Sequence, residues 1–154
     1  MTDIAHDDQF PAYEAAAPSD AVRALDRLVG TWRVTGGAEG KVTYEWMEGG
    51  HFLLQRVALE QYGQRITGLE VIGHLRPFGE GASADMHSRF YDAAGNTFDY
   101  VYELEGDTLH IWAGAKGSAA KFTGTFDEGD QVMAGEWVYP GGGGYPSTMT
   151  RTAG

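Results

Sequence analysis

From Thr31 to the C-terminus, apolar and polar residues alternate with a period of two, and glycine-bearing turn signals break the pattern at short intervals. No other feature constrains the fold as strongly, because a half-buried strand repeats every two residues and an amphipathic helix every three to four. Ten runs qualify: 31–36, 40–47, 51–61, 66–76, 83–91, 96–104, 108–113, 119–127, 131–139 and 145–152. Between them lie Gly36-Gly37, Glu48-Gly49-Gly50, Tyr62-Gly63-Gln64, Asp92-Ala93-Ala94-Gly95, Gly106-Asp107 and Glu128-Gly129-Asp130, with Gly141 to Gly144 as a hairpin tip. With no helical pattern between them, such strands form a meander. A meander of this length loses its edges by closing into a ten-stranded antiparallel up-and-down barrel, the expected all-β fold.

One short helix is expected ahead of the barrel, over residues 19–29. Ser19 is a fitting N-cap, Asp20 complements the dipole, and Val22, Leu25, Leu28 and Val29 share a face. Gly30 is the expected C′ residue. Residues 1–18 hold Asp3, Asp7, Asp8 and Glu14 with no Lys or Arg, and read as a mobile acidic tail. Residues 19–154 then form a single domain, a normal size for one core.

The net charge of −11 argues against nucleic acid or an anionic membrane as a partner, since phosphate recognition needs clustered Lys and Arg. The absence of cysteine excludes disulfides and thiolate chemistry. The N-terminus has acids where a secretory signal has a basic stretch, and no apolar run nears the ~20 residues of a spanning helix. A cytoplasmic protein is the expectation.

Turn lengths predict which way side chains point. A three-residue loop at 62–64 sets Arg56 opposite Glu70, a six-residue loop over 77–82 sets Glu70 opposite Arg89, and a bulged turn at Gly95 sets Arg89 opposite Asp99. One face then gathers Leu53, Gln55, Val57, Leu59, Leu69, Val71, Met86, Ser88, Phe90, Phe98, Tyr100, Tyr102 and Leu104. The other carries the row Arg56, Glu70, Arg89, Asp99. Burying four charges costs several kcal/mol per ion before pairing offsets it. The apolar face is therefore expected to line the barrel, with the charged row outside; the alternative is a polar active site inside the barrel, since a one-residue change of register flips the face.

At Gly30-Thr31-Trp32, the chain resembles the calycins, the superfamily of lipocalins and fatty-acid-binding proteins. In that family Gly-x-Trp opens the first strand, and a basic residue near the end of the last strand packs over the indole, a part that Arg151 is placed to play. The runs Met47-Glu48-Gly49-Gly50-His51-Phe52-Leu53-Leu54, Leu104-Glu105-Gly106-Asp107-Thr108-Leu109 and Ser147-Thr148-Met149-Thr150-Arg151 resemble bacterial lipocalin-like proteins of uncharacterised function. Across residues 20–152 the resemblance implies a barrel that binds a small, largely apolar molecule. Nitrobindin-type haem proteins share the shape but open with Gly-x-Trp-x-Gly-x-Gly and carry their iron-binding His near the C-terminus. Here Arg33-Val34-Thr35-Gly36 follows Trp32, and the last His is His110. No haem or other cofactor is expected.

The expected ligand-binding residues are Gln55, Ser88, Phe90, Phe98, Tyr100, Tyr102 and His110, with Gln55, Ser88 and the tyrosines as polar handles. The place of His110 depends on a turn. If Gly106-Asp107 is a two-residue turn, His110 and Trp112 face outward and an exposed Trp112 suggests an interface, such as a homodimer. A three-residue turn brings His110 inside beside Tyr102. His74, Asp85 and His87 can cluster on one face, but no ligand-spacing motif accompanies them and no metal is expected. No nucleophile elbow, His-Glu-x-x-His, P-loop or dinucleotide fingerprint occurs. The leading expectation is a non-catalytic binder of a small apolar or aromatic molecule. The alternative is a small isomerase, cyclase or dehydratase that uses a Tyr, His or Glu of the cavity; a buried, unpaired His110 or Glu there would favour it, and a cavity with only Ser and Tyr polar groups would favour the binder.

Overall fold

The computed structural model describes residues 16–154, so the expected acidic tail lies mostly outside the described residues. It is a closed barrel of ten antiparallel strands: β1 (Gly30–Gly36), β2 (Glu39–Trp46), β3 (Leu53–Gln61), β4 (Gln64–His74), β5 (Met86–Asp92), β6 (Thr97–Glu105), β7 (Thr108–Ala113), β8 (Lys121–Phe126), β9 (Val132–Val138) and β10 (Tyr145–Ala153). Each strand pairs with its neighbours in sequence, and β10 returns to β1, so no edge is left open. Every expected strand forms, with ends displaced by at most a few residues. No helix among the described residues is long and apolar enough to cross a membrane.

A short helical segment closes one end. α1 (Asp20–Arg23) is capped by Ser19, whose hydroxyl accepts from the Val22 amide at 3.1 Å. It passes directly into a 3-10 segment, Ala24–Leu28. The tighter winding sets residues three apart on one face, so Val22, Leu25 and Leu28 all point into the barrel end and are buried. Each contributes roughly 1.5–3 kcal/mol by burial, which a segment this short needs in order to persist.

Gly30 follows the C-cap Val29 and so stands at the C′ position that the sequence suggested. It opens β1 at φ +125°, where a Cβ would stand 2.6 Å from the Ala153 carbonyl oxygen and 2.7 Å from the Arg151 guanidinium. The glycine therefore makes room for Arg151, whose guanidinium lies 4.1 Å from the centre of the Trp32 ring, the contact the Gly-x-Trp opening led us to expect. Arg151 also donates to the Val29, Arg27 and Asp130 carbonyls, and the Trp32 indole donates to Leu28 O at 2.8 Å. Arg27 lies over Phe126 and pairs with Asp107 and Asp130. These contacts latch the helical segment across the end of the barrel.

One strand is turned over relative to expectation. The β3–β4 turn has two residues, Tyr62 and Gly63, at φ 52° and 75°, and Gln61 pairs with Gln64. Arg56 therefore faces Leu69 across the pair, and Gln55 faces Glu70. On the other side Glu70 pairs with Phe90, one residue from the expected Arg89. The two slips have opposite sign, so only β4 inverts. Leu69 and Val71 point outward, while Glu70 and Ile72 point in and are buried. Arg89 and Asp99 do pair outside, at 2.6 Å.

Candidate functional site

The end of the barrel away from α1 is open and leads into a cavity of about 440 Å³. Its walls alternate as the strands do, so every lining strand contributes one residue in two. Val34, Val42, Val57, Leu59, Ile66 and Ile111 are typical of the apolar part. Inward-facing glycines thin the wall where large rings lie flat. A Cβ on Gly68 would stand 2.7 Å from the Phe90 ring. That volume lies in the range of ordinary small-molecule sites.

Along one wall runs a continuous polar belt. Tyr44 of β2, Gln55 of β3, Glu70 of β4, Ser88 of β5 and Tyr102 of β6 stand on adjacent strands and all face inward. The Glu70 carboxylate accepts from the Ser88 hydroxyl at 2.5 Å and from the Tyr102 hydroxyl at 2.9 Å. The Gln55 amide donates to the Tyr44 hydroxyl at 2.9 Å. Glu70 is only 5% exposed, and burial pushes its carboxyl up to about 7, although the bonds from Ser88 and Tyr102 pull the other way. Burial, with Glu70 nearby, likewise pushes the Tyr44, Tyr100 and Tyr102 hydroxyls well above the ordinary tyrosine value. The belt thus offers neutral phenolic donors around one carboxyl that changes charge near neutrality. Such a group in a cavity marks a candidate site.

Aromatic rings form another part of the lining. Trp137 lies 5.9 Å from Tyr100, 5.5 Å from Phe122 and 6.1 Å from Tyr139, and Tyr139 lies 6.4 Å from Tyr145. Burial pushes the Tyr139 hydroxyl up to about 12. Phe90 and Phe98 stack at 6.1 Å beside Asp92 near the mouth, where Phe98 is 44% exposed. Hydrogen bonds from the amides of Ala94 and Asn96 and from the Asn96 side chain hold the Asp92 carboxyl below its ordinary value.

Of the residues expected at the site, Gln55, Phe90, Phe98, Tyr100 and Tyr102 line this cavity. Ser88 reaches it through Glu70. His110 does not, which corrects its assignment. Glu105 pairs with Thr108 across a two-residue turn, so Leu109 and Ile111 face inward and His110 faces outward. There it stacks on Trp112 at 5.3 Å, with Nε2 3.4 Å from Glu105. Trp112 is only 7% exposed, with Lys116 and Lys121 over its ring, so the interface argument drawn from it lapses.

His74 and His87 do not share a face either. His74 accepts from Ser19 through Nε2 and donates to Ser83 O through Nδ1, both at 2.8 Å, at the closed end. Among the described residues no group of three or more His, Cys, Asp or Glu converges as metal ligands would.

Sequence reasoning missed Glu70, Tyr44 and the Trp137–Tyr139–Tyr145 wall as site residues. Glu70 had a usable signal: Tyr62-Gly63 read as a two-residue turn turns β4 over and brings Glu70 inside. Compared with known proteins, the chain matches no family model and no curated sequence.

Proposed function

We propose that the protein holds one small, largely apolar or aromatic molecule in the open half of the barrel, with the ligand's polar end on the Glu70 belt. The observation that carries this reading is the cavity itself: about 440 Å³, open at one end, mostly apolar, with its polar groups gathered on one wall. A barrel meant only for stability gains from a filled interior, because empty space costs packing energy. The calycin resemblance is consistent with this reading, as is a cytoplasmic setting for a chain without cysteine. Haem is no part of this reading: no His among the described residues lines the cavity.

A second reading, proton transfer to and from a bound substrate, is favoured by one observation. The Glu70 carboxyl titrates near 7 in reach of tyrosine donors, the condition for a general base with an acid beside it. One experiment addresses both readings. Calorimetry with 2-phenylethanol should show one-to-one binding, lost in Leu59→Trp, which fills the cavity. Absence of binding by this probe and by an aryl methyl ketone would overturn the ligand-holding reading. With the ketone in D₂O, deuterium entering the methyl group in the native protein but not in Glu70→Gln would establish proton transfer. Ketone recovered unlabelled leaves ligand holding as the function.

A further inference from the structure

The cavity's charge is one-sided. Glu70 stands in its wall and Asp92 at its mouth, and among the described residues that line it there is no Lys, Arg or His. Arg27 and Arg151 latch the closed end, and Arg89 is paired outside with Asp99. Glu70, itself buried, therefore has hydrogen-bond donors from Ser88 and Tyr102 but no cationic partner among the described residues that line the cavity. A buried carboxylate without a counter-ion is costly, and a ligand that supplies the counter-ion recovers that cost as affinity. The aromatic wall of Tyr100, Trp137 and Tyr139 also suits a cation, since the negative faces of such rings attract positive charge most when water is excluded. The protein's charge of −11 draws cations toward it as well.

We propose that the ligand is an organic cation: a protonated amine on an aromatic or aliphatic body, its nitrogen against Glu70 and its body against the Trp137 wall. This rests on the ligand-holding reading above and adds the ligand's charge. A carboxylate or phosphate in the same place would meet the Glu70 and Asp92 carboxyls with only neutral donors, phenols and glutamine amides, to offset them, so anions such as fatty acids are disfavoured.

The groups facing Glu70 from the strands around it are Tyr44 of β2, Gln55 of β3, Ser88 of β5, and Tyr100 and Tyr102 of β6. None of these carries charge at neutral pH, so Glu70 sets the charge of the belt. Bound amine holds the carboxyl ionised, and at mildly acidic pH binding must release its proton.

Three probes of nearly one shape separate the possibilities: phenethylamine (cation), 2-phenylethanol (neutral) and phenylacetate (anion). Calorimetry at about pH 8 should find phenethylamine bound about ten- to a hundredfold more tightly than 2-phenylethanol, as one charge-assisted hydrogen bond implies, and phenylacetate weakest. In Glu70→Gln the preference for the cation should vanish, so that phenethylamine binds no more tightly than 2-phenylethanol, and a cooperative urea melt of the variant reports that it is folded. Without any substitution, lowering the pH to about 5 should weaken phenethylamine about tenfold or more and leave 2-phenylethanol unchanged. If 2-phenylethanol or phenylacetate binds the native protein as well as phenethylamine does, the charge assignment is wrong though ligand holding stands. If none of the three binds, both readings fall together.

Discussion

Glu70 shows what one inward-facing carboxyl does to a barrel of this size. Its hydroxyl donors offset part of the burial cost, yet the group still titrates near 7 where an ordinary glutamate titrates at 4.5. The folded state therefore holds this proton more tightly than the unfolded chain does. The stability it contributes is fully present below about pH 4.5 and is lost as the pH rises through about 7, by ~3 kcal/mol in all. Glu70→Gln keeps the shape and removes the titration. Between pH 4.5 and 8 the variant should gain on the native protein by up to ~3 kcal/mol, read from urea melts at several pH values. Parallel pH curves for the two proteins would mean that the carboxyl is solvated. The outer pair Arg89–Asp99 is more than half exposed, so its loss should change stability by less than ~1 kcal/mol. Opposite sides of one wall thus give two carboxylates different roles.

At the scale of elements, the helical segment and the ends of β1 and β10 behave as one unit. The segment is too short to hold itself, and Arg151 ties it down through three backbone carbonyls and the Trp32 ring. Arg151→Ala strands those carbonyls and uncovers the indole, so it should cost ~2–4 kcal/mol in a urea melt. Arg151→Lys should recover only part of this, because a single ammonium does not span the three acceptors that the planar fork reaches. Native-like stability in Arg151→Ala would show that the buried Val22, Leu25 and Leu28 hold the segment without the latch. The β3–β4 hairpin teaches the converse about short connections. Tyr62-Gly63 adopts positive φ at both residues without the Asn or Asp that usually marks such a turn, and one residue of loop length decides which face of β4 meets the cavity.

At the scale of the whole molecule, the barrel is plugged at one end and open at the other, and its interior is acidic and aromatic. Hemin brings two carboxylates and an iron that needs a ligand, and the described residues that line this interior include neither a cation nor a His. A hemin titration should show no stoichiometric Soret shift, and a shift abolished by Tyr102→Phe or by any single His→Ala would overturn the reading. The ten strands, the helical segment, the Trp32–Arg151 contact and most of the apolar lining were legible in the sequence. The strands, the segment and the lining follow from local periodicity and turn residues, which act over short stretches of chain, whereas the contact was what the calycin resemblance implied. The sign and position of the site's charge were not legible. Alternation within β4 says only that Glu70 and Leu69 face opposite ways. Which of them faces inward depends on register with β3 and β5, and register is set by turn geometry and by packing between strands distant in sequence. The same holds for Trp137 and Tyr145, which join Tyr44 and Glu70 around one cavity only because β10 closes on β1. Short-range pattern decided that this chain is a barrel; closure and register, which exist only in three dimensions, decided that the barrel has an acidic pocket.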